Sequence, residues 1–109
     1  PSPGPLAVPA MPPLQPPVNQ QAFCMQRANT LEKAFLSKQM RGRAGFAALQ
    51  ARNRVAYFKG HKSPAIRRVY LAKQHKNLAA FLGTQRGALA SFRAGLEVLR
   101  EFCLMLPTS

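Results

Sequence analysis

The chain has 109 residues, sixteen Lys or Arg against three acids, all Glu, a formal charge of +13 and a pI near 11.5. This length confines it to one small domain, and the 47% hydrophobic content is too high for a charged disordered tail. A core this small contributes only a few kcal/mol before charge repulsion is subtracted, so the expectation is a component of an assembly. The apolar runs 78–82 and 102–106 are about one turn long, which excludes a transmembrane helix. Two cysteines, Cys24 and Cys103, are too few for a disulfide framework. They read as reduced thiols in a cytosol, nucleus or organelle matrix.

The chain opens on Pro1, as after removal of an initiator or targeting segment, and its Arg-rich, acid-poor habit suits import into an organelle. The mitochondrial matrix is the expected location. Residues 1–19 form a leader with eight prolines between positions 1 and 17 and no charge. That density forbids helix and favours an extended polyproline-II path. Leu6, Val8, Met11, Leu14 and Val18 are suited to shallow apolar pockets on a neighbouring protein.

Residues 20–106 are expected to be a small basic α-helical domain, with 107–109 as a tail. Asn19 is placed to cap a short helix through Ala28, and Asn29 with Glu32 three residues on resembles a capping box for a second, long helix. At 100° per residue, Leu31, Phe35, Gly42, Phe46, Leu49, Asn53 and Tyr57 fall within an arc of about 80°. This seam is narrow and survives through a spacing near eleven. Arg41, Arg52 and Lys59 lie on one side of it and Arg43 with Arg54 on the other, so the helix can pack and meet phosphate together. Gly42 and Gly45 each cost roughly 1 kcal/mol in a helix interior and mark a kink, a simple tolerated defect, or a place where another backbone, of protein or RNA, comes close.

The clearest boundary follows: Gly60 ends the long helix, His61–Ser63 turn, Ser63 caps and Pro64 takes the first helical position. A helix over 64–82 carries Ile66, Val69, Tyr70, Leu78 and Phe81 on its apolar arc, and Gly83 closes it. Thr84 opens a last helix whose apolar face includes Leu89, Phe92, Leu96, Leu99 and Cys103. Its Arg86, Arg93 and Arg100 are neutralised locally by Glu97 and Glu101. The short link at 83–84 makes an antiparallel pair. The fold class expected is all-α, a long basic helix plus an antiparallel helical hairpin.

Between 41 and 76 the sequence places Arg41, Arg43, Arg52, Arg54, Lys59, Lys62, Arg67, Arg68, Lys73 and Lys76 with no acid among them. Like charges repel by about 1 kcal/mol per close pair in water, and a phosphate-rich partner relieves that repulsion. These ten residues are the candidate nucleic-acid contacts, acting on phosphate oxygens, with guanidiniums able to grip two at once. No catalytic set can be assembled. There is no Asp for a Ser-His-Asp triad, and His61 and His75 lack nearby ligand partners for a metal site. The glycines form no phosphate loop. The expectation is therefore a non-enzyme with no cofactor, no metal and no small-molecule substrate, whose histidines face solvent or phosphate.

RNA is preferred because a small irregular helical protein with an extended leader suits a folded RNA surface. In composition alone the chain resembles accessory proteins of ribosomes, particularly organellar ones. That implies rRNA phosphates held by the middle region and neighbouring proteins met by the leader and the apolar helix faces. Two alternatives stand beside it: an accessory subunit of a respiratory or ATP-synthase complex lying on anionic lipid, and a DNA-binding protein of the chromatin type.

Overall fold

A computed structural model describes residues 19–108. Two helices of 41 residues each, α1 (Gln20–Gly60) and α2 (Pro64–Leu104), run antiparallel and are joined by the turn His61–Ser63. The all-α class is as expected, and so is the boundary at Gly60, Ser63 and Pro64, but the chain reverses at this boundary and not at 83–84, where the antiparallel pair was expected. Asn19 caps α1 by accepting from the Ala22 amide at 2.9 Å, and Ser63 caps α2 towards the Ile66 amide. Pro64 fits the first turn because its missing N–H would have no helical acceptor.

The hairpin is, however, made of two helices, and the break expected at Gly83–Thr84 is absent. Thr84 turns its hydroxyl back to the Ala80 carbonyl at 3.1 Å, a helix-interior arrangement. The break before Asn29 is missing too. Thr30 donates to the Gln26 carbonyl in the same way, while the Asn29 amide oxygen accepts from Arg100 of α2 at 3.0 Å. Residues of capping type are held in helix interiors here by bonds along or across the hairpin. Every described glycine keeps a negative φ, so neither Gly42 nor Gly45 breaks α1. The two differ: a Cβ on Gly42 would lie 3.4 Å from the Gln85 amide nitrogen, whereas one on Gly45 would meet nothing within 4 Å. Gly42 faces the Gln85 and Phe81 side chains at ordinary contact distance, and Gly45 is a tolerated defect.

The seam between the helices is a ladder of like pairs. Phe35 stacks on Phe92 with ring centroids 4.1 Å apart, Phe46 on Phe81 at 4.3 Å and Tyr57 on Tyr70 at 4.1 Å. Between these rungs Gln39 and Gln85 each donate a side-chain amide to the other's backbone carbonyl, at 2.8 and 2.9 Å, and Gln50 and Gln74 do the same at 2.8 and 2.7 Å. On α1 the aromatics recur every eleven residues, at 35, 46 and 57, and on α2 at 70, 81 and 92. Eleven residues are three helical turns plus a drift of about 20°, which keeps the rungs aligned without a sharp bend.

Little is fully buried. Ala28, Leu96 and Cys103 are the buried hydrophobic residues among those described, and no polar side chain joins them. Among the described residues no third element covers the flanks of the two helices, and Phe23, Leu49, Val69 and Phe102 are exposed. The open end is closed by a disulfide between Cys24 and Cys103, whose Cα atoms are 5.5 Å apart. This overturns the expectation of reduced thiols. The two cysteines are 79 positions apart in sequence but almost equidistant from the turn, and the antiparallel path brings them together. Beside the bridge Gln21 donates its side-chain amide to the Leu104 carbonyl and its backbone amide to Pro107. The bridge closes a loop long enough to contribute about 4–5 kcal/mol on the chain-entropy account, which is large beside so thin a core.

Candidate nucleic-acid interface

Charge is distributed very unevenly along the rod. Twelve of the sixteen cations lie between Lys38 and Arg86, which face one another across the hairpin, and no acid lies in that span. The other end holds Arg27, Lys33, Arg93 and Arg100 together with all three acids. Glu32 is placed by α1 between two arginines of α2, 3.3 Å from Arg100 and 3.6 Å from Arg93. These two arginines therefore pair across the hairpin with Glu32, where Glu97 and Glu101 were expected as partners.

Nine of the ten candidate contacts, Arg41, Arg43, Arg52, Arg54, Lys59, Lys62, Arg68, Lys73 and Lys76, are exposed. Arg67 is different. It is half-buried, its Nε donates to the His61 carbonyl at 2.7 Å and its terminal nitrogen to the Phe58 carbonyl at 3.0 Å. Its guanidinium also lies 4.7 Å from the centre of the Phe58 ring. Arg67 thus satisfies carbonyls that the end of α1 leaves without helical donors. His61, expected to face solvent or phosphate, is likewise engaged in the turn: it stacks on Tyr57 at 3.8 Å and its Nδ1 bonds the Tyr57 carbonyl at 2.8 Å.

The exposed cations fall on both flanks of the seam, as the helical phase of α1 foretold. On one flank Arg52 and Lys59 border a shallow patch with Val55, Arg41 shares their phase one repeat earlier, and Lys73 projects from α2. A cleft of about 440 Å³ beside them is lined by Phe46, Leu49, Asn53, Lys73 and Asn77 among others. It mixes apolar surface with amides and a cation. On the opposite flank Arg43 and Arg86 border one cleft and Arg54 with His75 a second. Arg68 has the same helical phase as Arg86, eighteen residues away.

Leu6, Val8, Met11, Leu14 and Val18, the candidate protein contacts, lie outside the described residues. Among the described residues no helix is long and apolar enough to cross a membrane, and no three His, Cys, Asp or Glu side chains are grouped to hold a metal ion. The sequence reading missed both the bridge and the glutamine rungs. The signal for both was mirror symmetry about the turn: Cys24 with Cys103, Gln39 with Gln85 and Gln50 with Gln74 each sit at matched distances from it. Compared with known protein families, curated proteins and solved structures, the chain matches none of them.

Proposed function

We propose that this chain is a non-catalytic, structural RNA-binding component of a large ribonucleoprotein, of the kind an accessory ribosomal protein represents, which holds RNA phosphates with the half of the hairpin nearest the turn. The observation that carries this reading is twelve cations and no acid on that half. On the flank of Arg41 and Arg52, Lys73 shares a cleft with the amides of Asn53 and Asn77, hydrogen-bonding groups that suit the sugars and base edges of a folded RNA better than a bilayer surface. The reading includes attachment to neighbouring proteins through the Pro-rich leader and the exposed apolar residues.

The disulfide bears on location. Such bridges persist mainly in oxidising compartments, which disfavours the mitochondrial matrix; Cys103 is buried, and Cys24 is half-buried. An oxidising compartment gives a second reading, in which the polyanion is a sulfated polysaccharide bound by the same cations.

Titration of the oxidised chain with a structured RNA and with heparin fragments of matched charge separates the two. For RNA, neutralising five to eight phosphates predicts an affinity loss of about two to four orders of magnitude between 50 and 200 mM salt. The variant R41E/R52E is expected to lose at least tenfold in RNA affinity with its helical circular dichroism unchanged. A flat salt response, or unchanged affinity in this variant, overturns the electrostatic mechanism, and stronger binding to heparin than to RNA promotes the second reading.

A further inference from the structure

The two flanks of the basic half differ in chemistry. The flank with Arg41, Arg52 and Lys73 presents amides from Asn53 and Asn77 beside its cations. The other flank carries two clefts, of about 300 and 200 Å³: the first is mainly apolar, with Leu36, Leu82 and Leu89, and the second is mainly polar, with Leu71 and Leu78 set among Gln50, Arg54, Gln74 and His75. Their centres are one eleven-residue repeat apart, at the Gln39–Gln85 and Gln50–Gln74 rungs. From Leu36 to Arg54 the two clefts together span eighteen residues of α1, about 27 Å at 1.5 Å per residue. Their rims carry Arg43, Arg54 and Arg86.

We infer that these two arginine-rimmed clefts, each carrying leucines, together form a docking site for an acidic amphipathic helix of a partner protein, of about five turns. Leucines spaced along a shallow groove receive the apolar face of such a helix, and the arginines on both rims pair with carboxylates at its margins. Charge complementarity selects the occupant. A second copy of this chain would bring another strongly cationic rod against the same rims. RNA would meet the arginines but leave the leucines exposed. The inference goes beyond the RNA reading and uses the opposite flank, so the chain would bridge RNA on one side and protein on the other.

The test uses the full oxidised chain and a dye-labelled peptide of about 18 residues, helical, with leucines on one face and glutamates at its margins. Fluorescence anisotropy is expected to show binding at least tenfold tighter than to a scrambled peptide of the same composition. Arg86→Glu, at an exposed position, and Leu82→Asn are each expected to weaken it at least fivefold, and a short RNA duplex bound on the other flank is expected to leave the peptide in place. Arg86→Glu keeps the experiment decisive if Leu82→Asn disturbs the hairpin. Equal binding of the scrambled peptide, no effect of Arg86→Glu, or complete displacement by RNA overturns the inference. So does displacement by phosphatidylcholine–phosphatidylglycerol vesicles whose own binding is lost in Leu82→Asn, which would assign the clefts to a membrane. Failure of RNA to bind at all would leave the peptide result standing.

Discussion

The half of the hairpin near the turn and the half near the disulfide share one construction, two helices meeting through a repeating seam, but they are finished in different ways. Near the turn the rungs are stacked aromatics and reciprocal glutamine bonds, and the outside is cationic without relief. Near the bridge the seam is covalent, Ala28 and Leu96 are buried, and Glu32 draws in Arg93 and Arg100. Repulsion in the first half therefore has to be withstood by contacts in the seam and by the bridge at the far end. The lesson is a division of labour along one rod: the nearly neutral end supplies cohesion, and the basic end, on the proposed reading, meets an anionic partner.

The largest expected effect breaks the cohesive end. Replacing both cysteines, Cys24→Ser with Cys103→Ser, is predicted to lower stability by about 4–5 kcal/mol, measured by denaturant unfolding followed by circular dichroism. Because the buried core is so thin, this variant is expected to be largely unfolded in low salt and to regain helix when a polyanion is added. A loss under 1 kcal/mol would mean that the two ends are not divided in this way.

A smaller effect sharpens the comparison inside the basic half, where two adjacent arginines have different tasks. Arg67→Ala removes a charged donor from the carbonyls of Phe58 and His61 and is predicted to cost about 1.5–3 kcal/mol of stability. Arg68→Ala, at an exposed site, is predicted to stay within about 0.5 kcal/mol of the parent in stability. Equal thermal shifts for the two would erase the distinction. The smallest effect is a gain: Gly45→Ala, with open space around the added methyl, is predicted to raise stability by about 0.5–1 kcal/mol. Since α1 is continuous there, a decrease would show that this glycine has a task the seam does not reveal.

Local chemistry made the turn legible in advance. Gly60, Ser63 and Pro64 carry their meaning within a few residues, and the aromatic rungs of α1, Phe35, Phe46 and Tyr57, followed from helical phase, though not the glutamines between them. The continuity of both helices was hidden for a related reason. Asn29 and Thr84 are stop or start residues by local preference, and what keeps them helical is a bond to Arg100 across the hairpin in one case and to Ala80 along the helix in the other. The disulfide was hidden because pairing over 79 positions depends on where the chain reverses. Once the reversal is fixed at His61–Ser63 and the break at Gly83 removed, Cys24 and Cys103 have to face each other. The cationic span was read from composition, but the separate role of Arg67 depends on its distance to two carbonyls, which no count of charges contains.

The repeating seam has a consequence for alignment. Phe35, Phe46, Phe81 and Phe92 are chemically alike, as are Gln39, Gln50, Gln74 and Gln85, so sliding one helix by eleven positions would again set ring against ring and amide against amide. Interior chemistry alone barely distinguishes the correct match from its neighbour. The three-residue turn at one extremity and the bridged cysteines at the other act as end stops, and through them a ladder of interchangeable rungs acquires a single setting.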